Sequence, residues 1–183
     1  MSAARTRFVR LGPGTTLLAR LPLVALLASP LGACDPVQQD KIDGLGGEAP
    51  GVPHGPLHRP GQPCTLCHDG AVGNPEAFSV AGTVYQRPAD TVGLNGATVK
   101  MTDSTGSTYS TTTNAAGNFY VDPASWTPTY PIVGTQIKSG RLTVQMYTRI
   151  GWAGSCATCH VAPAGSTSPG RIVMQLDDGG APP

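Results

Sequence analysis

Two short stretches of the sequence carry cysteine and histidine in the same pattern, Cys-x-x-Cys-His, about ninety residues apart. The first reads CTLCH at 64–68 and the second reads CATCH at 156–160. Two thiols three positions apart can each add across a vinyl group of a haem, and the adjacent histidine then supplies an imidazole nitrogen to the iron. The pattern therefore predicts two covalently attached c-type haems, bound by Cys64, Cys67, His68, Cys156, Cys159 and His160.

Three other chemistries also use a Cys-x-x-Cys pair. In an oxidising compartment a pair can form a disulfide, and two pairs can form a four-cysteine zinc site. A thioredoxin-like redox motif would need a βαβ pattern, and neither pair lies in one. The histidines favour haem, because only 4 of the 183 residues are histidine. Two pairs would both be followed by histidine by chance on the order of once in two thousand.

A six-coordinate haem iron also needs a second axial ligand. The two remaining histidines, His54 and His58, lie in HGPLHRPG just before the first motif, and a neutral imidazole is a good ligand. His58 is the nearer candidate, because it lies six residues before Cys64. Methionine is the alternative and would raise the reduction potential. Met146 and Met174 lie on either side of the second motif, although methionine in an apolar strand is more often core filler.

The first 33 residues have the three parts of an export signal. Basic residues come first, the apolar run LPLVALLA follows at 21–28, and small residues come last. The apolar run is too short to span a bilayer. The segment ends in LGAC at 31–34, which resembles a bacterial lipobox and implies that Cys34 is lipidated as the first residue of the mature chain. We therefore expect an exported protein of the bacterial cell envelope with a lipid anchor in a membrane.

The segment that follows Cys34 predicts a flexible tether. Residues 34–63 are rich in glycine and proline and show no apolar periodicity. The first 33 residues hold four of the twelve basic residues and no acid, so the rest carries eight basic and eleven acidic residues, a net charge of −3. Since no basic patch remains, we expect no nucleic-acid partner.

The region between the two motifs predicts β-structure. In 95–103, Ala97, Val99 and Met101 alternate with polar residues, as in a strand with one buried face. The turn signals NG, DSTG and NAAG recur at about the spacing of an all-β sandwich. Five segments are predicted to be strands: 78–86, 95–103, 107–113, 117–122 and 141–149.

This middle region resembles the carboxypeptidase-regulatory-like, transthyretin-like (prealbumin-like) domains. The cues are a Gly-x-Val start at 82–84, a Gly-Ala-x-Val strand at 96–99 and a Thr-Asn-x-x-Gly-x-Phe hairpin at 113–119. The resemblance implies a mainly β fold, a single seven-stranded transthyretin-like β-sandwich flanked by two haem-binding loop segments, and it implies no catalysis. The order of haem motif, β-module and second haem motif also resembles exported dihaem c-type cytochrome-like lipoproteins.

The sequence predicts a membrane-anchored dihaem c-type cytochrome-like electron-transfer protein rather than an enzyme. Its irons would cycle between Fe(III) and Fe(II), and its partners would be other redox proteins of the cell envelope. The alternative is a non-haem structural or adhesive envelope β-sandwich with zinc or disulfides at the cysteine pairs. A dihaem peroxidase-type enzyme is less favoured, because it needs an open sixth position and a distal base, and histidine is scarce. The predicted parts are a signal peptide (1–33), a lipidated cysteine and tether (34–63), a first haem segment (64–77), the sandwich (78–149) and a second haem segment with tail (150–183).

Overall fold

The computed structural model describes residues 36–48, 51–52, 54–70 and 76–175. The predicted signal peptide and Cys34 lie outside these ranges. The fold is mainly β, as predicted, and no helix within the described ranges has the length and apolar character needed to cross a bilayer. The elements are α1 (Pro36–Gly44), β1 (Val80–Tyr85), β2 (Thr98–Thr102), β3 (Thr108–Thr112), β4 (Asn118–Val121), β5 (Gly134–Ser139), β6 (Leu142–Met146) and β7 (Ile172–Val173), with 3-10 helices at Cys64–Leu66 and Cys156–Thr158.

The strands form two sheets, one with the order β4-β1-β7 and one with the order β3-β2-β5-β6. Neighbouring strands are antiparallel except β1 and β7, which run parallel with Val84 opposite Ile172. The five predicted strand segments contain β1, β2, β3, β4 and β6, whereas β5 and β7 are additional. The sequence of β5, GTQIKS, has only one large apolar residue, Ile137, and β5 pairs with the distant β2 and with the adjacent β6. Strand β7 has only two residues and is defined by its long-range pairing with β1.

Apolar side chains from both sheets form one core. Val80 and Val84 of β1 lie in the same buried cluster as Val99 and Met101 of β2, and Trp126 closes the cluster from a loop. The exposed and buried positions of β2 alternate, as its sequence predicts. The sheets therefore face each other across a shared core, which is the arrangement of a β-sandwich.

Strand β1 is buried at every position, because its outer face is also covered. The cover is the chain segment just before the first cysteine motif. The backbone N–H of Gly61 donates to Thr83 Oγ1 at 2.8 Å, and the Asn118 side-chain amide donates to the His58 carbonyl oxygen at 3.0 Å. Thr83 Oγ1 in turn donates to Asn118 Oδ1 at 2.7 Å. Polar side chains on β1 and β4 thus fix the position of His58 on the outer face of the three-stranded sheet.

The structure differs from the flexible tether expected over 34–63. Pro36 begins the helix α1 and Gly44 ends it, and the seven residues between them contain neither glycine nor proline. Proline suits the first helical position, because its missing N–H has no helical partner there. Gln38 Nε2 donates to the Leu66 carbonyl oxygen at 2.7 Å, and Arg59 Nη1 donates to the Gly46 carbonyl oxygen at 2.9 Å. The segment therefore contacts the folded body through these hydrogen bonds.

Alanine substitutions at Gly96 and Gly117 distinguish the effect of backbone strain on stability from the effect of a steric clash. Gly96 and Gly117 both have a φ of +76°, but a Cβ on Gly117 would lie 2.4 Å from the Val84 carbonyl oxygen, whereas a Cβ on Gly96 would meet nothing within 4 Å. We expect Gly96→Ala to lower the free energy of unfolding by about 1 kcal/mol through backbone strain alone. Gly117→Ala should lower it by about 3 kcal/mol, because the β1–β4 pair must also move apart. Urea unfolding followed by far-UV circular dichroism measures both losses, and equal losses would contradict the predicted contact.

Candidate haem sites

The two Cys-x-x-Cys-His motifs fold into the same local structure. In each, the first cysteine begins a one-turn 3-10 helix. The carbonyl oxygen of that cysteine accepts a hydrogen bond from the N–H of the second cysteine at 3.2 Å and from the N–H of the histidine at 2.9 Å, and both distances are the same in 64–68 and in 156–160. The turn places the two thiols and the imidazole on one compact loop, as covalent attachment of a haem requires.

Both motif histidines are held in one tautomer by a backbone carbonyl. His68 Nδ1 lies 2.9 Å from the Glu76 carbonyl oxygen, and His160 Nδ1 lies 2.9 Å from the Gly170 carbonyl oxygen. A carbonyl oxygen only accepts hydrogen bonds, so Nδ1 carries the proton in each neutral ring. The lone pair is then on Nε2, which is the arrangement typical of a metal-binding histidine with an outer hydrogen-bond partner.

The first motif lines a cavity of about 200 Å³, which we call site 1. Cys64, Cys67 and His68 form one part of the wall. The outer face of the three-stranded sheet forms another part, through Asn118 and Tyr120 of β4. The segment before the motif completes it with His58, Arg59 and Gln62. Site 1 therefore contains the motif and one of the two predicted distal histidines.

His58 and His68 lie close together in site 1. Their ring centroids are 5.8 Å apart and the ring planes are inclined by 34°. His58 Nδ1 contacts the Gly55 carbonyl oxygen, so its lone pair is also on Nε2. Metal–imidazole bonds are about 2 Å long, which places the ring centres of two imidazoles on opposite sides of one metal ion roughly 6 Å apart. The observed separation matches that requirement.

Aromatic stacking supports the His68 ring. The ring stacks on Phe78 with 4.3 Å between centroids, and Phe78 stacks on Tyr120 with 4.8 Å between centroids. The Phe78 N–H also donates to the His68 carbonyl oxygen at 3.0 Å. These contacts restrict the orientation of the imidazole, which a metal ligand needs. The sequence did not indicate Phe78 as a site residue, because nothing in its local pattern distinguishes it from an aromatic residue within a strand.

The second motif lines a cavity of about 170 Å³, which we call site 2. Cys156 and His160 belong to its wall, together with Tyr85 from β1 and Arg171 from the segment before β7. Cys159 is exposed. The Arg171 guanidinium lies 4.7 Å from the centre of the Tyr85 ring and donates to the carbonyl oxygens of residues 88 and 90. Tyr85 and Arg171 are 86 positions apart in the sequence, so no local pattern could have paired them.

The other predicted axial ligands lie away from both cavities. The His54 side chain is 95% exposed, with Nδ1 2.9 Å from a Glu48 carboxylate oxygen. Met146 is half-buried in β6, which belongs to the four-stranded sheet. Met174 is fully buried in the core of the sandwich. The structure therefore places His58 close to a motif histidine, whereas His54, Met146 and Met174 line neither cavity.

None of the four described cysteines forms a disulfide. Burial raises the pKa of Cys64, and a backbone hydrogen bond partly offsets this. Burial raises the pKa of Cys156 to about 12, with smaller contributions from the charges of Cys64 and Cys159. A thiol–disulfide exchange centre needs a lowered cysteine pKa. Cys64 and Cys156, the first cysteine of each pair, therefore do not fit a thioredoxin-like redox motif.

Sites 1 and 2 are neighbours on the same sheet. The 3-10 helices of both motifs contact β1. The segment 59–62 separates the cavities, since Arg59 and Gln62 line site 1 whereas Pro60 and Gly61 line site 2. The thin partition means that groups bound at the two sites would be close together.

The donor sets fit haem better than zinc. Within the described ranges, no group of three or more His, Cys, Asp or Glu side chains is placed to hold a metal ion. A structural zinc site needs four protein ligands. A haem iron takes four ligands from the porphyrin and needs the protein only for its axial positions and covalent attachment. Site 1 offers two thiols and two imidazoles for that purpose, whereas the wall of site 2 offers the Cys156 thiol and the His160 imidazole, and Cys159 of the same motif is exposed.

Comparisons with protein-family models, with curated proteins and with solved structures gave no match.

Proposed function

We propose that the chain is a membrane-anchored dihaem c-type cytochrome-like electron-transfer protein. The observation that carries the proposal is the duplicate geometry of the two motifs. Each motif forms the same hydrogen-bonded turn and holds its histidine through Nδ1 on a backbone carbonyl oxygen, beside a cavity. Such duplication is expected if both loops do the same chemical task, and haem c attachment is the task that uses all three residues of each motif.

The residues of the chain would attach, orient and ligate two haem c groups. Thioethers from Cys64, Cys67, Cys156 and Cys159 would fix the position of each haem, and His68 and His160 would be proximal ligands. His58 would be the second axial ligand at site 1, because its ring is 5.8 Å from that of His68. The haem supplies the chemistry, a reversible one-electron change between Fe(III) and Fe(II).

The position of the sites supports electron exchange between them. Electron tunnelling becomes rapidly slower with distance, so two redox groups exchange electrons efficiently only when they are near each other. Site 1 is lined by β4 and site 2 by β1, which are neighbouring strands of one sheet, and a thin partition at 59–62 separates the cavities. The rigid three-stranded sheet would hold the two haems at a fixed separation, so that an electron accepted at one site could leave from the other.

The location and partners that we propose follow from the sequence. Export and lipidation at Cys34 would place the protein at a membrane of the bacterial cell envelope. Its partners would be other envelope redox proteins, and the net charge of −3 beyond residue 33 would favour partners with basic surfaces. Trp152, which is 80% exposed and lies four residues before Cys156, is a surface aromatic that such a partner could contact.

The β-sandwich also resembles a known domain in three short segments of its sequence. We infer that the sandwich is a carboxypeptidase-regulatory-like, transthyretin-like domain. The cues at 82–84, 96–99 and 113–119 fall on β1, on the start of β2 and on the turn between β3 and β4. In this view the domain is a scaffold, and the haem loops are additions on the outer face of one sheet.

A non-haem envelope β-sandwich is the main alternative. It predicts zinc or disulfides at the cysteine pairs and a colourless protein. The separate cavities of the two motifs favour haem over a shared zinc site, because a four-cysteine site would bring both pairs to one metal ion.

The deciding experiment is an optical spectrum of the full chain expressed with c-haem maturation machinery and purified in detergent. We expect a c-type spectrum that changes reversibly on reduction, and two haems per chain by the pyridine haemochrome assay. A colourless protein that contains zinc would refute the proposal in favour of the structural alternative.

A further inference from the structure

Sites 1 and 2 differ in the side chains that line the cavity together with the motif histidine. Site 1 contains His58, whereas His160 is the only histidine and no methionine is present among the described residues that line site 2. All four histidines and three of the four methionines fall in the described ranges, and the fourth methionine is Met1. Among the described residues, the other histidines and methionines therefore lie outside the wall of site 2, with His54 at the surface and Met174 in the core.

Tyr85 is a polar side chain that lines site 2 together with His160. It is 3% exposed, and its hydroxyl lies against Gly61, where an added Cβ would be 2.7 Å away. The Arg171 guanidinium covers the ring at 4.7 Å from its centroid. Burial raises the pKa of Tyr85, with a partial offset from Arg171, so the group is a neutral phenol at neutral pH. A neutral phenol is a weak iron ligand but a good hydrogen-bond donor.

We propose that the haem at site 2 keeps its sixth coordination position open and binds a small exogenous anion, with Tyr85 as its hydrogen-bond donor. Arg171 would be a positioning residue, because it holds the Tyr85 ring and adds a positive charge to the cavity wall. A buried donor and a neighbouring cation together favour a small anionic ligand such as azide or cyanide. The inference rests on the proposed function, because it requires a haem at site 2.

The proposal gives the two haem sites different functions. A haem at site 1, with an imidazole on each side, would only carry electrons. A haem at site 2 would carry electrons and bind a ligand a short distance away across the partition at 59–62. An open sixth position is also the requirement that a peroxidase-type enzyme shares, so ligand binding at site 2 would be the first step for that class of activity.

The test is an azide titration of the oxidised full chain with both haems attached. We expect one low-spin and one high-spin ferric haem by electron paramagnetic resonance, and azide should change the spectrum of only half of the haem. His58→Ala should open site 1 as well, so that azide then changes the spectrum of both haems. A chain with two haems, both low-spin and both unresponsive to azide, would overturn the inference and leave the proposed function intact. A chain without haem would overturn both.

A second variant tests the role of Tyr85. Tyr85→Phe should weaken azide binding about tenfold without changing the haem content, because the ligand loses one hydrogen bond. If the Tyr85 oxygen were itself an iron ligand, the same variant would bind azide more tightly, and that result would overturn the proposal. Arg171→Gln should also weaken azide binding. If Tyr85→Phe takes up no haem, the titration of the unmodified chain still decides the question.

Discussion

Replacing Cys64 and Cys67 together with alanine is expected to reduce the covalently bound haem from two per chain to one. The same loss is expected for Cys156→Ala with Cys159→Ala, because the two motifs form separate turns beside separate cavities. A thioether is a covalent bond, so the effect should be all-or-none at each site rather than a change in affinity. Mass spectrometry of the denatured protein counts the attached haems directly, and the pyridine haemochrome assay checks the ratio.

Cys34 provides the matched control for these cysteine pairs. Cys34→Ala should leave two haems per chain but move the protein from the detergent phase to the aqueous phase, because only the lipid anchor is lost. The paired variants also distinguish haem from a shared zinc site. If either double variant abolished all cofactor binding, the two pairs would have to act as one four-cysteine centre, contrary to the separate cavities.

The parts of the fold that the sequence predicts are those with a strong local pattern. The alternation over 95–103 gives β2, and the NAAG turn lies between β3 and β4, where Asn114 Oδ1 accepts hydrogen bonds from the N–H groups of Ala116 and Asn118. Strand β7 could not be predicted in this way, because it has two residues and its partner β1 lies far away in the sequence, and β5 was missed because its own sequence has a weak strand pattern. The helix α1 was missed for another reason, since the glycine and proline of the surrounding segment hid a short stretch that contains neither.

The candidate sites show the same division between local and long-range information. The Cys-x-x-Cys-His turns are local, so the attachment residues and the motif histidines could be predicted directly. The choice among His54, His58, Met146 and Met174 could not, because it depends on which element covers which face of the sheet. His58 lies in site 1 because Asn118 and Thr83 bind its segment through hydrogen bonds. Tyr85 and Arg171 meet only because β7 pairs with β1.

His58→Met is expected to raise the midpoint potential of one haem by on the order of 0.1–0.2 V and to leave the other unchanged. The reason is that a thioether stabilises Fe(II) relative to an imidazole, and axial ligands shift haem potentials over a range of about 0.8 V. The effect should be confined to site 1, where the His58 and His68 rings are 5.8 Å apart. A spectroelectrochemical titration of the two haems measures both potentials, and a far-red charge-transfer band in the oxidised spectrum would show sulfur on the iron.

His54→Met is the control, because His54 carries the same side chain only four positions away but is 95% exposed and outside both cavities. It should change neither potential. A shift with His54→Met and none with His58→Met would mean that the surface histidine reaches the iron and that the observed separation of His58 and His68 is not an axial pair. If neither variant shifts a potential, the haem at site 1 has no distal histidine, and both sites would then be open to exogenous ligands. The pair of variants therefore decides whether the two sites are unequal, which the proposed ligand binding at site 2 requires.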